Sequence, residues 1–135
     1  MSWRYLIDTN IASAAISDSS SIVARRIVGL ASDAVVTSVI VAGELRFGAA
    51  KKGSSALKAR IEQLLSLIPV LPIDSDVTHY YGSIRTSLEQ RGTPIRQNDL
   101  WIAAHGLARD LILVTDNVSE FGRVDGLQIE NWLRD

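Results

Sequence analysis

Tyr5-Leu6-Ile7-Asp8-Thr9-Asn10 begins with three apolar residues and stops abruptly at an acid, a hydroxyl and an amide. Near the other end, Leu111-Ile112-Leu113-Val114 stops in the same way at Thr115-Asp116-Asn117. A short apolar run without polar alternation reads as a strand buried on both faces, as strands of parallel sheets are. Further runs of this kind lie at residues 34–37, 70–71 and 127–130. Between them the sequence has helical spacing and cap residues. Ser20 and Ser21 predict a helix to about residue 31, and Ser38 predicts one to about residue 50. Residues 54–68 carry Leu57, Ile61, Leu64, Leu65 and Ile68 at spacings of three and four. Asp74, Ser75 and Asp76 can cap a long helix to Gly92, and Asn98 can cap one from Asp99 to about Asp110. Strands alternating with helices predict an α/β fold, a central parallel sheet of about five strands with helices on both faces.

Length and composition narrow the rest. The 135 residues suit a single domain, residues 1–135, able to build its own core. The absence of Cys excludes a disulfide scaffold, a thiolate nucleophile and a sulfur-ligated zinc site. Fourteen basic residues against fifteen acidic ones exclude a uniformly basic surface but allow a local basic patch. No uncharged apolar stretch approaches the roughly 18 residues of a membrane span, and the N-terminus does not resemble a signal peptide. The expected compartment is the cytoplasm.

Ligands of open α/β sheets bind beyond the carboxyl ends of the strands, where Asp8 and Asp116 fall. Either could also serve as a turn former or helix cap. Glu44 is less easily explained. At 100° per residue, Ile40, Val41, Phe47 and Gly48 lie within about 60° of it on the helix surface, and Arg46 lies about 200° away. A carboxylate in an apolar stripe needs a partner, a proton or a cation. A functional role is preferred for Glu44, and an ion pair with an Arg from elsewhere in the chain is the alternative. Asp99, at the start of an apolar helix, can interact with the helix dipole alone. If the four converged, pairs at about 4 Å would repel by up to about 4 kcal/mol at an effective dielectric of about 20. Such a cluster calls for a cation or shifted pKa values. All-oxygen ligands favour Mg²⁺ or Mn²⁺, and the residues point to metal-dependent phosphoryl transfer.

In that order, four motifs resemble PIN-domain ribonucleases, in particular the VapC-type toxins of bacterial toxin–antitoxin pairs. They are Tyr5-Leu6-Ile7-Asp8-Thr9-Asn10, Val41-Ala42-Gly43-Glu44-Leu45-Arg46-Phe47-Gly48, Asn98-Asp99-Leu100-Trp101 after Arg91-Gly92-Thr93-Pro94, and Val114-Thr115-Asp116-Asn117 continuing to Phe121. The resemblance implies a PIN fold and an Mg²⁺- or Mn²⁺-dependent endoribonuclease acting on RNA, with tRNA as one substrate class. It implies Asp8, Glu44 and Asp99 as catalytic acids, with Asp8 and Asp99 as metal ligands. The fourth position departs from the simplest family pattern: the acid is Asp116, and Asn117 occupies the place where the family commonly has one. Asp116 is the preferred fourth residue and Asn117 the alternative. The resemblance also implies a homodimer and a cognate VapB-like antitoxin.

Thr9 and Thr115 flank proposed ligands and could orient them. Arg46, Lys51, Lys52 and Arg96 could contact RNA phosphates or simply form a solvated face. His105 is expected to be structural, and Trp3, Trp101 and Trp132 to be core or interface anchors. The alternatives are another metal-dependent phosphoryl hydrolase of α/β fold, or a PIN-like module that binds RNA without cleaving it. A haloacid-dehalogenase-like phosphatase needs an acid where Asn10 stands, and a receiver domain needs a Lys beyond a late strand, whereas all three Lys lie at positions 51–58.

Overall fold

The computed structural model describes residues 3–30 and 34–133. Five strands form one parallel sheet: β1 (Tyr5–Ile7), β2 (Val35–Ser38), β3 (Val70–Leu71), β4 (Ile112–Val114) and β5 (Ile129–Glu130), in the order β3-β2-β1-β4-β5. Tyr5 pairs with Val35 on one side and Ile112 on the other, and Ile7 pairs with Thr37 and Val114. All three residues of β1 and all four of β2 are buried. Successive side chains point to opposite faces, so both faces of the sheet are covered.

The helices are α1 (Thr9–Ser17), α2 (Ile22–Gly29), α3 (Val39–Lys52), α4 (Ser55–Leu67), α5 (Ser75–Gln90), α6 (Gln97–Ala108) and α7 (Val118–Phe121). Every strand expected from the sequence is present within two residues. Two helices were not expected. The polar stop at Asp8-Thr9-Asn10 is a helix start: Asp8 is the N-cap of α1, and its Oδ1 accepts from the Ile11 amide at 3.0 Å. The short α7 follows Asn117 in the same way. The expected cap at Asn98 is corrected, because α6 starts two residues earlier with Arg96 as N-cap, freeing the Asn98 side chain for another contact. Asp74 holds the N-cap position of α5 without a side-chain cap bond and is paired with Arg109 instead. The expected end of a helix at residue 31 lies outside the described residues; α2 ends at Gly29.

Leu6, Ile7, Val36, Leu113 and Val114 fill the centre of the core with Ile11, Val23, Val41, Ile102 and Phe121 packed around them. Trp132 is buried, edge-on to Tyr5 with ring centroids 5.0 Å apart. Trp101 stacks on Tyr81 at 3.9 Å, and Trp3 is exposed. The chain runs outward from β1 to β2 and β3, then crosses to β4 on the other flank of β1. β1 and β4 therefore bracket the point where the winding direction reverses, the place where sheets of this class open a crevice at their carboxyl ends. The Asp8 amide donates to the Val114 carbonyl at 3.1 Å and fixes the two strand ends together.

Candidate active site

The crevice is a small cleft of about 150 Å³ lined by Asp8, Thr9, Asn10, Glu44, Arg96, Asp99, Asn117 and Phe121. Three of the four expected acids, Asp8, Glu44 and Asp99, thus meet although 91 residues separate the first from the last. Each arrives from a different element: Asp8 from the end of β1, Glu44 from the middle of α3 and Asp99 from the first turn of α6. Asp116 lies beside rather than among them. It accepts from Asn131 Nδ2 at 2.8 Å, yet it is close enough for its charge to act on Asp8. Asn117 lines the cleft itself, and its amide donates to Glu120 Oε2 at 3.0 Å.

Glu44 has the partner that its helix could not supply. Its Oε2 accepts from Arg96 at 3.0 Å and from Asn98 at 3.2 Å, and its Oε1 accepts from the Thr9 hydroxyl. The Glu44 side chain is only 20% exposed, and Arg96 also reaches Asp99 at 3.4 Å. The apolar stripe expected around Glu44 is partly at the surface, since Val41 is buried while Phe47 is 67% exposed.

Burial pushes the Asp8 carboxyl above its ordinary range, and the charges of Glu44 and Asp116 push it further, against bonds from Thr115 and the Ile11 amide. Asp99 is pushed up to about 7, first by burial, then by its hydrogen bond to Glu120 and the neighbouring carboxylates; Arg96 opposes this. Burial also works on Glu120, but bonds from Asn117, the Arg96 amide and Asp99 bring it below its usual value. Glu120 is a further acid of this site that sequence reasoning did not single out. Its signal was available: Asn117-Val118-Ser119-Glu120 has the spacing of a helix-starting Asn followed three residues later by Glu.

The other expected residues are more dispersed. Thr115 is buried and bonded to Asp8. Arg46 faces Glu62 through two contacts of 2.8 Å, and Lys51 lies 6.0 Å from the Phe47 ring centroid. Lys52 lines a cavity that also reaches Thr9 and Glu44. His105 is buried with Nδ1 2.9 Å from Ser38 Oγ, and burial, aided by Arg109, lowers its pKa to about 4. It is therefore neutral near pH 7 and ties α6 to the cap of α3, the structural role expected of it.

The donor chemistry of the cleft is carboxylate oxygen without sulfur, which fits a hard divalent cation. Burial is the first cause of the raised pKa values of Asp8 and Asp99, and the neighbouring carboxylates add to it, so a cation among them would relieve both. As the side chains stand they are engaged with Arg96, Thr9 and Asn98, and among the described residues no three acidic or His side chains form a ready-made metal site.

Comparison with known proteins shows the family of the chain. The PIN domain family matches residues 5–127. The chain is 37% identical to Ribonuclease VapC2 of Rickettsia felis over 130 residues, covering 95% of this chain and 97% of the relative. It is 32% identical to the tRNA(fMet)-specific endonuclease VapC of Salmonella typhimurium, covering 96% and 98%. Among solved structures it is similar to VapBC2 from Rickettsia felis bound to a promoter DNA fragment, with a TM-score of 0.87 at 36% identity over 95% of this chain and 98% of that one. DNA-bound VapBC from Salmonella typhimurium matches with the same TM-score at 32% identity, covering 96% and 98%. Nucleases of this family are metal-dependent. A sheet of this order, a carboxylate cleft at its switch point and full-length relatives of one kind agree: the chain belongs to the PIN-domain family and, within it, to the VapC ribonucleases.

Proposed function

We propose that this chain is an endoribonuclease toxin that hydrolyses RNA phosphodiesters in the cleft between β1 and α6, with Mg²⁺ or Mn²⁺ as cofactor. The observation that carries the reading is the convergence of Asp8, Glu44 and Asp99 from three distant segments. Asp8 and Asp99 would hold the cation, since both are buried at the cleft and each has neighbouring carboxylates that add to the cost of its charge. A bound divalent cation supplies charge neutralisation at the phosphate and lowers the pKa of water towards neutrality. Glu44, held by Thr9 and Asn98 on different oxygens, orients water or the cation. Thr115 fixes the Asp8 carboxylate. Glu120 and Asn117 form the far wall, and Asp116 acts on Asp8 through its charge rather than by lining the cleft.

Arg96 is 65% exposed and stands at the cleft mouth, so it can exchange its carboxylate partners for an RNA phosphate. Lys51 and Lys52 are exposed at the end of α3, Lys51 beside Phe47 and Lys52 in a cavity that Thr9 and Glu44 also line. Both could meet RNA phosphates, whereas Arg46 is engaged with Glu62. The relatives' names suggest tRNA as the substrate class and a VapB-like antitoxin as partner, and we extend both to this chain with a homodimer as the working form. Among the described residues no helix is long and apolar enough to cross a membrane, in keeping with action on cytoplasmic RNA.

The test is incubation of the purified chain with total RNA and Mn²⁺, with and without chelator, beside Asp8→Asn. That substitution keeps a side chain able to cap α1. Cleavage that needs the metal and disappears in the variant is expected. Cleavage that survives both chelator and substitution would overturn the assignment of the cleft.

A further inference from the structure

Beside the acidic cleft a wider, open groove of about 720 Å³ runs along α3. Thr9, Glu44 and Arg96 line both, so the two are continuous. Along α3, Val39, Gly43 and Phe47 follow one another at four-residue spacing and so share one stripe of the helix surface. Val39 is 43% exposed and Phe47 is 67% exposed. Gln97 and Asn98 form the opposite wall.

Two features of this groove have no use within the fold. A phenyl ring so exposed contributes little to the core, yet it stands three residues from Glu44 on the same helix. Glycine inside a helix is unfavourable relative to alanine, and a Cβ placed on Gly43 would meet nothing within 4 Å. Internal packing therefore does not explain the missing side chain. What its absence does is leave a flat floor between the ring and the carboxylates.

We propose that this groove is a subsite for one unstacked nucleobase of the RNA, held against Phe47 beside the scissile phosphate; the proposal rests on the nuclease reading above. Single-stranded RNA is recognised by splaying bases onto aromatic rings and hydrogen-bonding their edges. Phe47 offers the ring and Gly43 the clearance. The amides of Gln97 and Asn98 on the opposite wall, bonded to Tyr81 and Glu44 as the chain stands, can exchange those partners for a base edge. Lys51, 6.0 Å from the ring centroid, supplies positive charge for the adjoining phosphate. Continuity decides for a base over a second copy of the chain as occupant. A strand with its phosphate in the cleft at Arg96 and Glu44 can lead its next nucleotide along this floor, which shares Thr9, Glu44 and Arg96 with the cleft. The neighbouring cavity at Lys52 shares only Thr9 and Glu44 with it.

The experiment uses a short single-stranded RNA carrying one 2-aminopurine, with chelator present so that nothing is cleaved, and reads fluorescence quenching and affinity. The wild-type chain is expected to quench saturably. Phe47→Ala should abolish the quench and weaken binding about tenfold, and Phe47→Trp should restore both. Gly43→Leu should fill the groove and weaken binding to a similar degree while the melting temperature holds or rises. Unchanged quench and affinity in Phe47→Ala would overturn the proposal. So would a fall in molecular mass by light scattering in Phe47→Ala and Gly43→Leu with RNA affinity unchanged, which would assign the groove to contact between copies. A wild type that cleaves total RNA with Mn²⁺ but never quenches overturns the subsite and leaves the nuclease standing. A wild type that quenches through Phe47 but cleaves nothing does the reverse.

Discussion

Helix α6 has an arginine at each end, Arg96 as N-cap and Arg109 as C-cap, and each faces two carboxylates. The two ends nevertheless behave differently. Arg109 sits at the negative end of its helix dipole, and its partners Asp74 and Asp76 sit at the positive end of α5. Every charge in that cluster is where helix electrostatics favours it. Arg96 stands at the positive end of α6, where a cation is disfavoured, and it is the cation of a cleft that gathers Asp8, Glu44 and Asp99, with Glu120 bonded to its amide. The C-terminal cluster is complete as it stands. The N-terminal one has surplus negative charge and a mobile type of counter-charge, the arrangement expected where something else binds.

The strongest way to break this contrast is to neutralise one acid at each end. Asp99→Asn should reduce RNA cleavage by about 100-fold or more, whereas Asp74→Asn should leave it unchanged, as measured on gels with Mn²⁺ present. Equal losses would mean that the two clusters do not differ in function.

Acidity offers a second comparison, because the two ends of α6 titrate in opposite senses. Asp99 is raised from 3.8 to about 7, so its contribution to stability is present below pH 3.8 and lost as pH rises towards 7. His105, in the last turn, is lowered from 6.5 to about 4, so its contribution is present above pH 6.5 and lost as pH falls towards 4. Between pH 4 and 7 the melting temperature of the metal-free chain should trend more steeply upward in Asp99→Asn than in the wild type. The variant loses the Asp99 slope that opposes the histidine and keeps those of His105 and Asp8. An identical pH dependence in that variant would contradict the assignment. The smallest effect concerns the arginines. Arg109→Ala should cost about 1 kcal/mol in denaturant unfolding. Arg96→Ala should cost less when Mn²⁺ is present, because the ion takes over its task; the opposite ranking would blur the contrast.

Much of this was legible from residues alone, and the exceptions have physical causes. The strands were visible because a parallel strand buried on both faces leaves an unbroken apolar run, as in Leu6, Ile7, Leu113 and Val114. Asp8, Glu44 and Asp99 stood out because acids at strand ends or in apolar surroundings need explaining. Helix α1 was hidden by its own start: the polar residues that end β1 also cap the helix, and Ala12, Ala14 and Ala15 give a weak apolar signal. Arg96 as partner of Glu44 could not be read, because 52 residues separate them and only the turn of the chain after α5 brings them together. Glu120 escaped because it belongs to a four-residue helix, too short for periodicity to show.

The guanidinium of Arg96 also bears on how such a protein comes into being. A pocket of carboxylates that relied wholly on an external ion would be costly to close during synthesis, before any ion had arrived. With Arg96 already paired to Glu44 and Asp99 the cleft closes without an external ion, so under the metal-dependent reading proposed above the chain can complete its fold first and be loaded afterwards. Maturation and metal supply thereby become separate events, and a newly made molecule can be intact and inert at the same time.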